Sequence, residues 1–177
     1  MIIRGRVLHF LKQPDLLKPE SSYEYIEEGA LAIEEGRILE VGKFLDIQRR
    51  YIDFKVIDYK ENLIFPGFID LHNHFPQVQV IASYGTQLLE WLNKYTFPEE
   101  AKFCDERYAK QKAKEFIKLL LSNGTTTSVS FCSVHKHSAD ALFEEASRQN
   151  MYILAGKVMM DRNAPENLID DPFSSYQ

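Results

Sequence analysis

Leu63-Ile64-Phe65-Pro66-Gly67-Phe68-Ile69-Asp70-Leu71-His72-Asn73-His74 is the stretch whose reading decides this chain. Residues 63–71 are almost continuously apolar, as expected of a strand buried on both faces. Pro66 and Gly67 interrupt the run, so the strand proper is read as Phe68 to Leu71. His72 and His74 follow at its end. Side chains two apart on extended backbone point the same way, so the pair can offer two imidazoles to one ion. Zinc and iron(II) both accept imidazole nitrogen. A bare His-x-His is more often a pair of surface or core histidines. Its position at the end of an apolar strand, where α/β proteins place their chemistry, favours the metal reading here.

Downstream, the pattern alternates between strand and helix. Asp105 to Ser122 reads as a helix, with Ala109, Ala113, Phe116, Ile117 and Leu120 on one face and Asn123-Gly124 as its stop. Thr125 to Val134 is rich in β-branched residues and reads as a second buried strand. Ser138 is read as the N-cap of a helix running to about Gln149, and Met151 to Met160 as a third strand. Strand, helix, strand, helix, strand implies parallel βαβ units. Thr86 to Tyr95, with Leu88, Leu89, Trp91 and Leu92, reads as a short covering helix or turn.

Upstream, residues 1–62 read as a small β module. A strand lies near Ile3 to Phe10, and a polar loop spans Pro14 to Ser22. A hairpin over Gly29 to Gly42 turns at Gly36, and another strand covers Val56 to Tyr59. The expected division is therefore 1–62 for the β module and 63–177 for the α/β part.

Composition limits the function. The 177 residues carry 21 Lys+Arg against 26 Asp+Glu, a net charge of −5. An acidic balance, with Arg49-Arg50 as the basic cluster, argues against a nucleic-acid partner held by phosphate contacts. Two cysteines, Cys104 and Cys132, rule out a disulfide scaffold. They permit one bridge at most, and are read as reduced thiols of a cytoplasmic protein. Met1-Ile2-Ile3-Arg4 is followed by polar residues, so no secretory signal is read, and no apolar run is long enough for a membrane span.

Pro66-Gly67-Phe68-Ile69-Asp70-Leu71-His72-Asn73-His74 resembles the first-strand signature of the amidohydrolase superfamily. Gln87-Leu-Leu-Glu-Trp-Leu-Asn-Lys-Tyr-Thr-Phe-Pro98, Asn123-Gly-Thr-Thr-Thr127 and Gly156-Lys-Val-Met-Met-Asp-Arg-Asn-Ala-Pro165 narrow the resemblance to its guanine deaminase branch. The resemblance implies an α/β fold. In it, a metal-dependent (β/α)₈ TIM barrel, of which this chain holds the first strands, joins the N-terminal part of a small β-sandwich. It implies zinc, with iron as an alternative, held by His72 and His74. It implies guanine as the small-molecule substrate, deaminated hydrolytically to xanthine and ammonia, by a homodimer without nucleic-acid or membrane partners. Substrate-facing residues carried over are His74, Phe75, Pro76, Gln77 and Trp91, with Leu92 beside the last. For Trp91 and Leu92, plain core packing stays open.

A barrel takes roughly 250 residues, so the chain is expected to be the N-terminal portion of a longer enzyme, inactive alone. The remaining ligands and the proton-moving Glu and Asp are expected beyond residue 177. Another amidohydrolase, of the cytosine- or adenosine-deaminase or cyclic-amide type, and a non-catalytic fragment are the competing readings. His135-Lys136-His137 is a second His-x-His, read as polar loop residues or neighbours of the site rather than ligands. Asp161 either lines the site mouth or holds its own loop, and Cys132 is read as a small core residue.

Overall fold

The computed structural model describes residues 1–176. By its contacts the chain divides into Met1–Pro66 and a second unit that begins at Gly67.

The first unit holds β1 (Ile2–Phe10), β2 (Tyr23–Glu34), β3 (Arg37–Lys43), α1 (Phe44–Arg50) and β4 (Val56–Ile64). The sheet order is β3-β2-β1-β4, antiparallel except for the parallel β1–β4 pair. The β2–β3 hairpin turns through Glu35 and Gly36, both at positive φ (49° and 75°). That twist suits the right-handed coil of the flanking strands. The helix α1 is absent from the sequence reading. Its Ile47 is buried with Ile2, Ala30 and Ala32, which gives this small sheet its core.

The apolar run over residues 63–71 is not one strand. Leu63 and Ile64 end β4, pairing with Arg6 and Val7 of β1. Pro66 and Gly67 then break the chain before β5 (Phe68–His74). The boundary between compact units therefore falls after Pro66, beyond the 62/63 expectation.

The second unit continues with a 3₁₀ turn over Phe75–Val80, α2 (Leu88–Trp91), a π-helical turn over Leu92–Thr96, and α3 (Phe97–Ala101). It ends with α4 (Glu106–Ser122), β6 (Thr125–Cys132), α5 (Lys136–Arg148), β7 (Tyr152–Lys157) and α6 (Pro172–Tyr176). The strands lie in the order β5-β6-β7, all parallel, with α4 and α5 as the crossovers. Asp105 caps α4, accepting from Arg107 N at 2.8 Å, and Gly124 leaves it at φ 82°. The helix α5 starts two residues before the expected cap. Ser138 sits inside its first turn, where its hydroxyl accepts from Ser133 N at 3.2 Å.

The core of this unit gathers Phe75, Phe103, Phe116, Ile117, Leu142 and Met151 between the sheet and α4 and α5. The expectation that the first strand is buried on both faces is not met. Ile69 is 64% and Leu71 71% exposed. β5 is an edge strand, paired to β6 on one side, and none of its residues is buried. Leu88 and Leu89 are likewise exposed rather than covering. Among the described residues no helix is long and apolar enough to cross a membrane.

Candidate functional site

The two histidines stand on a strand end that is held from below. The β5–β6 register shifts between Asp70 and Asn73: Asp70 pairs with Ser128 and Asn73 with Ser130, three steps on one strand against two on the other. Such an irregularity turns both Asp70 and Asn73 toward β6. The Asn73 amide donates to Asp70 Oδ2 at 2.9 Å and to Ser128 Oγ at 2.6 Å. Ser130 Oγ donates back to Asn73 Oδ1 at 2.7 Å, and the two serine hydroxyls lie 2.9 Å apart. Both serines are buried. A closed polar network of this kind fixes side chains in one arrangement.

The rings of His72 and His74 meet edge to face at 5.3 Å between centroids. Phe131 supports both. It stacks on His74 at 5.0 Å and meets His72 edge-on at 5.5 Å. Burial, reinforced by the neighbouring His72, holds His74 below the usual imidazole range. Neutral imidazole is the ligating form, so the pair suits a transition metal at neutral pH. Two imidazoles are part of a ligand set, and among the described residues no three His, Cys, Asp or Glu side chains gather to hold an ion.

His74 also lines a cleft of about 440 Å³ with Asp70, Asn73, Gln77, Trp91 and Phe116. Gln77 and Trp91, both expected at the substrate, thus share one cavity with a histidine. The Gln77 amide nitrogen donates to Glu100 Oε1 at 3.1 Å, and Trp91 Nε1 donates to Ser83 O at 3.1 Å. Glu100 is itself buried. Burial raises its carboxyl above the usual range, and the Gln77 contact offsets part of that.

Phe75 and Pro76 do not join them. Both are wholly buried, and Phe75 packs on Phe103 and Phe116 at 5.1 and 5.3 Å. The reason is the 3₁₀ turn that begins at Phe75 and sends that ring into the core, while Gln77 reaches the cleft. Leu92 packs in a separate cluster around Phe97, Val134 and Leu168.

The second histidine pair stacks on itself, 5.7 Å apart and 8° from parallel. His137 bonds Phe103 O through a ring nitrogen at 2.5 Å, and His135 Nε2 is buried without a partner. Asp161 is exposed and paired with the adjacent Arg162 at 2.7 Å. Cys132 is buried in the core, its thiol pushed up to about 12 by that burial. Sequence reasoning missed Asn73, Phe131 and Glu100. Only Asn73 left a trace, a polar residue between two candidate ligands. The other two depend on chain packing.

Residues 63–176 match the amidohydrolase family model. A guanine deaminase of Escherichia coli K12 is 50% identical over 178 residues, covering 98% of this chain and 40% of that protein. The solved E. coli guanine deaminase superposes with a TM-score of 0.93 at 45% identity, covering 99% of this chain and 41% of that one. A guanine deaminase from C. acetobutylicum, crystallised with guanine bound in its active site, matches with a TM-score of 0.80. It is 33% identical, over 98% of this chain and 40% of that one. The chain thus spans about 40% of the length of the curated relatives it matches.

Proposed function

This chain belongs to the amidohydrolase family, and from that premise we propose that it carries part of the active site of a zinc-dependent guanine deaminase. The observation behind this reading is the sharing of one cleft by His74, Gln77 and Trp91, with His72 edge-on to His74. His72 and His74 would hold the metal, which when bound supplies a water acidified to near neutral pH for hydrolysis. Gln77 would face the purine, because a carboxamide matches an edge of mixed donors and acceptors. Trp91 would form an apolar wall, tied in place by Ser83 O. The reaction is replacement of the exocyclic amine of guanine by water, giving xanthine and ammonia. Its proton-moving carboxylates are not assigned to any residue of this chain. Two free thiols agree with a cytoplasmic enzyme, and the resemblance to guanine deaminases favours a homodimer.

The test is metal analysis and ammonia release from guanine in the full-length protein. His72→Ala and His74→Ala are each expected to lose most of the zinc and the activity. Full zinc occupancy in both variants would sink the ligand assignment. Turnover of another aminated ring in preference to guanine would move the protein to a different branch of the family.

A further inference from the structure

A carboxamide has two unlike ends, and a site that uses one must decide which end the ligand meets. Gln77 lines the cleft with His74. Its nitrogen donates to Glu100 Oε1 at 3.1 Å. As a carboxylate Glu100 can only accept, so it takes the NH₂ of Gln77 and leaves the C=O as the end available to a ligand. We propose that Glu100 is the positioning residue that sets the orientation of the Gln77 carboxamide and makes this corner of the cleft an acceptor. This rests on the reading of Gln77 as the base-facing residue.

Two observations support a role beyond packing. Glu100 is only 6% exposed on α3, where a charged group is costly. The cation and the hydroxyl that reach this part of α3 go to its neighbour Glu99. Lys102 Nζ bonds Glu99 at 2.5 Å, and the Tyr108 hydroxyl bonds Glu99 as well. The residue is therefore retained as a buried acid whose partner is an amide rather than a cation. A purely structural need at this position would be met more cheaply by an apolar side chain. The acceptor corner selects bases that offer an N–H there, as guanine does, over bases that offer a bare ring nitrogen.

The test is a double-mutant cycle in the zinc-loaded full-length protein. Glu100→Gln keeps the shape but can pair with Gln77 either way round, so the orientation is released. We expect kcat/KM for guanine to fall roughly 10-fold, mainly through KM. Zinc content and melting midpoint are expected to stay at the wild-type values. In a Gln77→Ala background the same change should cost nothing further. The exchange variant Gln77→Glu with Glu100→Gln still presents an acceptor, and should recover activity that Gln77→Glu alone loses. Equal losses from Glu100→Gln in both backgrounds would overturn the proposal, as would wild-type kcat/KM in Glu100→Gln. If Gln77→Ala itself leaves kcat/KM unchanged, the base-facing reading falls and this inference with it. If Gln77→Ala is costly while Glu100→Gln is silent, only the role of Glu100 falls.

Discussion

Phe75 separates two accounts of the segment after the histidines, because sequence resemblance puts it at the ligand and the structure puts it in the core. Its ring is fully buried and sits against two other rings, Phe103 at 83° and Phe116 at 44°. Truncation to alanine removes those contacts and leaves a void under the 3₁₀ turn. Such a Phe→Ala change costs about 3–5 kcal/mol, because close-packed surroundings collapse only in part. For a chain of this size each kcal/mol lowers the melting midpoint by about 2–4 °C, so the drop is about 6–20 °C. Thermal unfolding of wild type and Phe75→Ala, followed by circular dichroism or calorimetry, measures it. The control is Phe75→Leu, which keeps most of the volume and is expected to lose well under half as much. An unchanged midpoint in Phe75→Ala, together with weaker guanine binding by the full-length variant, would refute the core placement.

Two further outcomes follow from the electrostatics of the second unit. In the folded chain a thiol reagent at neutral pH is expected to modify exposed Cys104 and to spare Cys132, whose buried thiol is raised to about 12. Two equivalents of rapid labelling before unfolding would contradict that burial. Asp170 is held well below its ordinary value of 3.8, chiefly by Lys157, whose Nζ lies 2.7 Å away and also donates to Val134 O. A depressed carboxyl contributes its full stabilisation above the ordinary pKa and loses it as pH falls through the depressed value. Exchange protection of the Asp170 amide, bonded to Met160 O at 2.7 Å, should therefore hold from neutral pH down to about 4 and fail only in stronger acid. Protection that already falls between about pH 7 and 5 would mean that another group secures this segment.

The helices and strands of the second unit were legible because their signals are local. The five apolar residues of α4 repeat at 3.6-residue spacing, with a capping Asp105 before them and Gly124 after. The β2–β3 turn announced itself through Gly36. The apolar run at 63–71 misled because hydrophobicity does not say which sheet a residue enters. Only the pairing of Leu63 and Ile64 with β1 does. Ser138 misled for a similar reason: a good capping residue was used two positions inside the helix, bonding Ser133 N. At the site, the paired histidines could be read because a period of two is written in the chain. Glu100 could not, since its contact with Gln77 spans 23 residues and a helix start of ordinary composition hides it. Phe75 and Gln77 differ by two positions, and only the 3₁₀ turn decides that one faces the core and the other the cleft.

The register shift in β5 has a consequence for how this sequence can change over time. A regular strand would send Asp70 and Asn73 to opposite sides. Here the extra residue lets the Asn73 amide reach both Asp70 and Ser128, while the rings of His72 and His74 meet each other and Phe131. Replacing Leu71 alters one exposed side chain. Deleting it would leave two steps against two, so Asn73 would still pair with Ser130 and His74 with Phe131, and only the irregularity itself would be lost. The irregularity is thus the one place in β5 that can lose a residue without turning the histidines over, whereas a one-residue gap after Asn73 would move His74 out of its place.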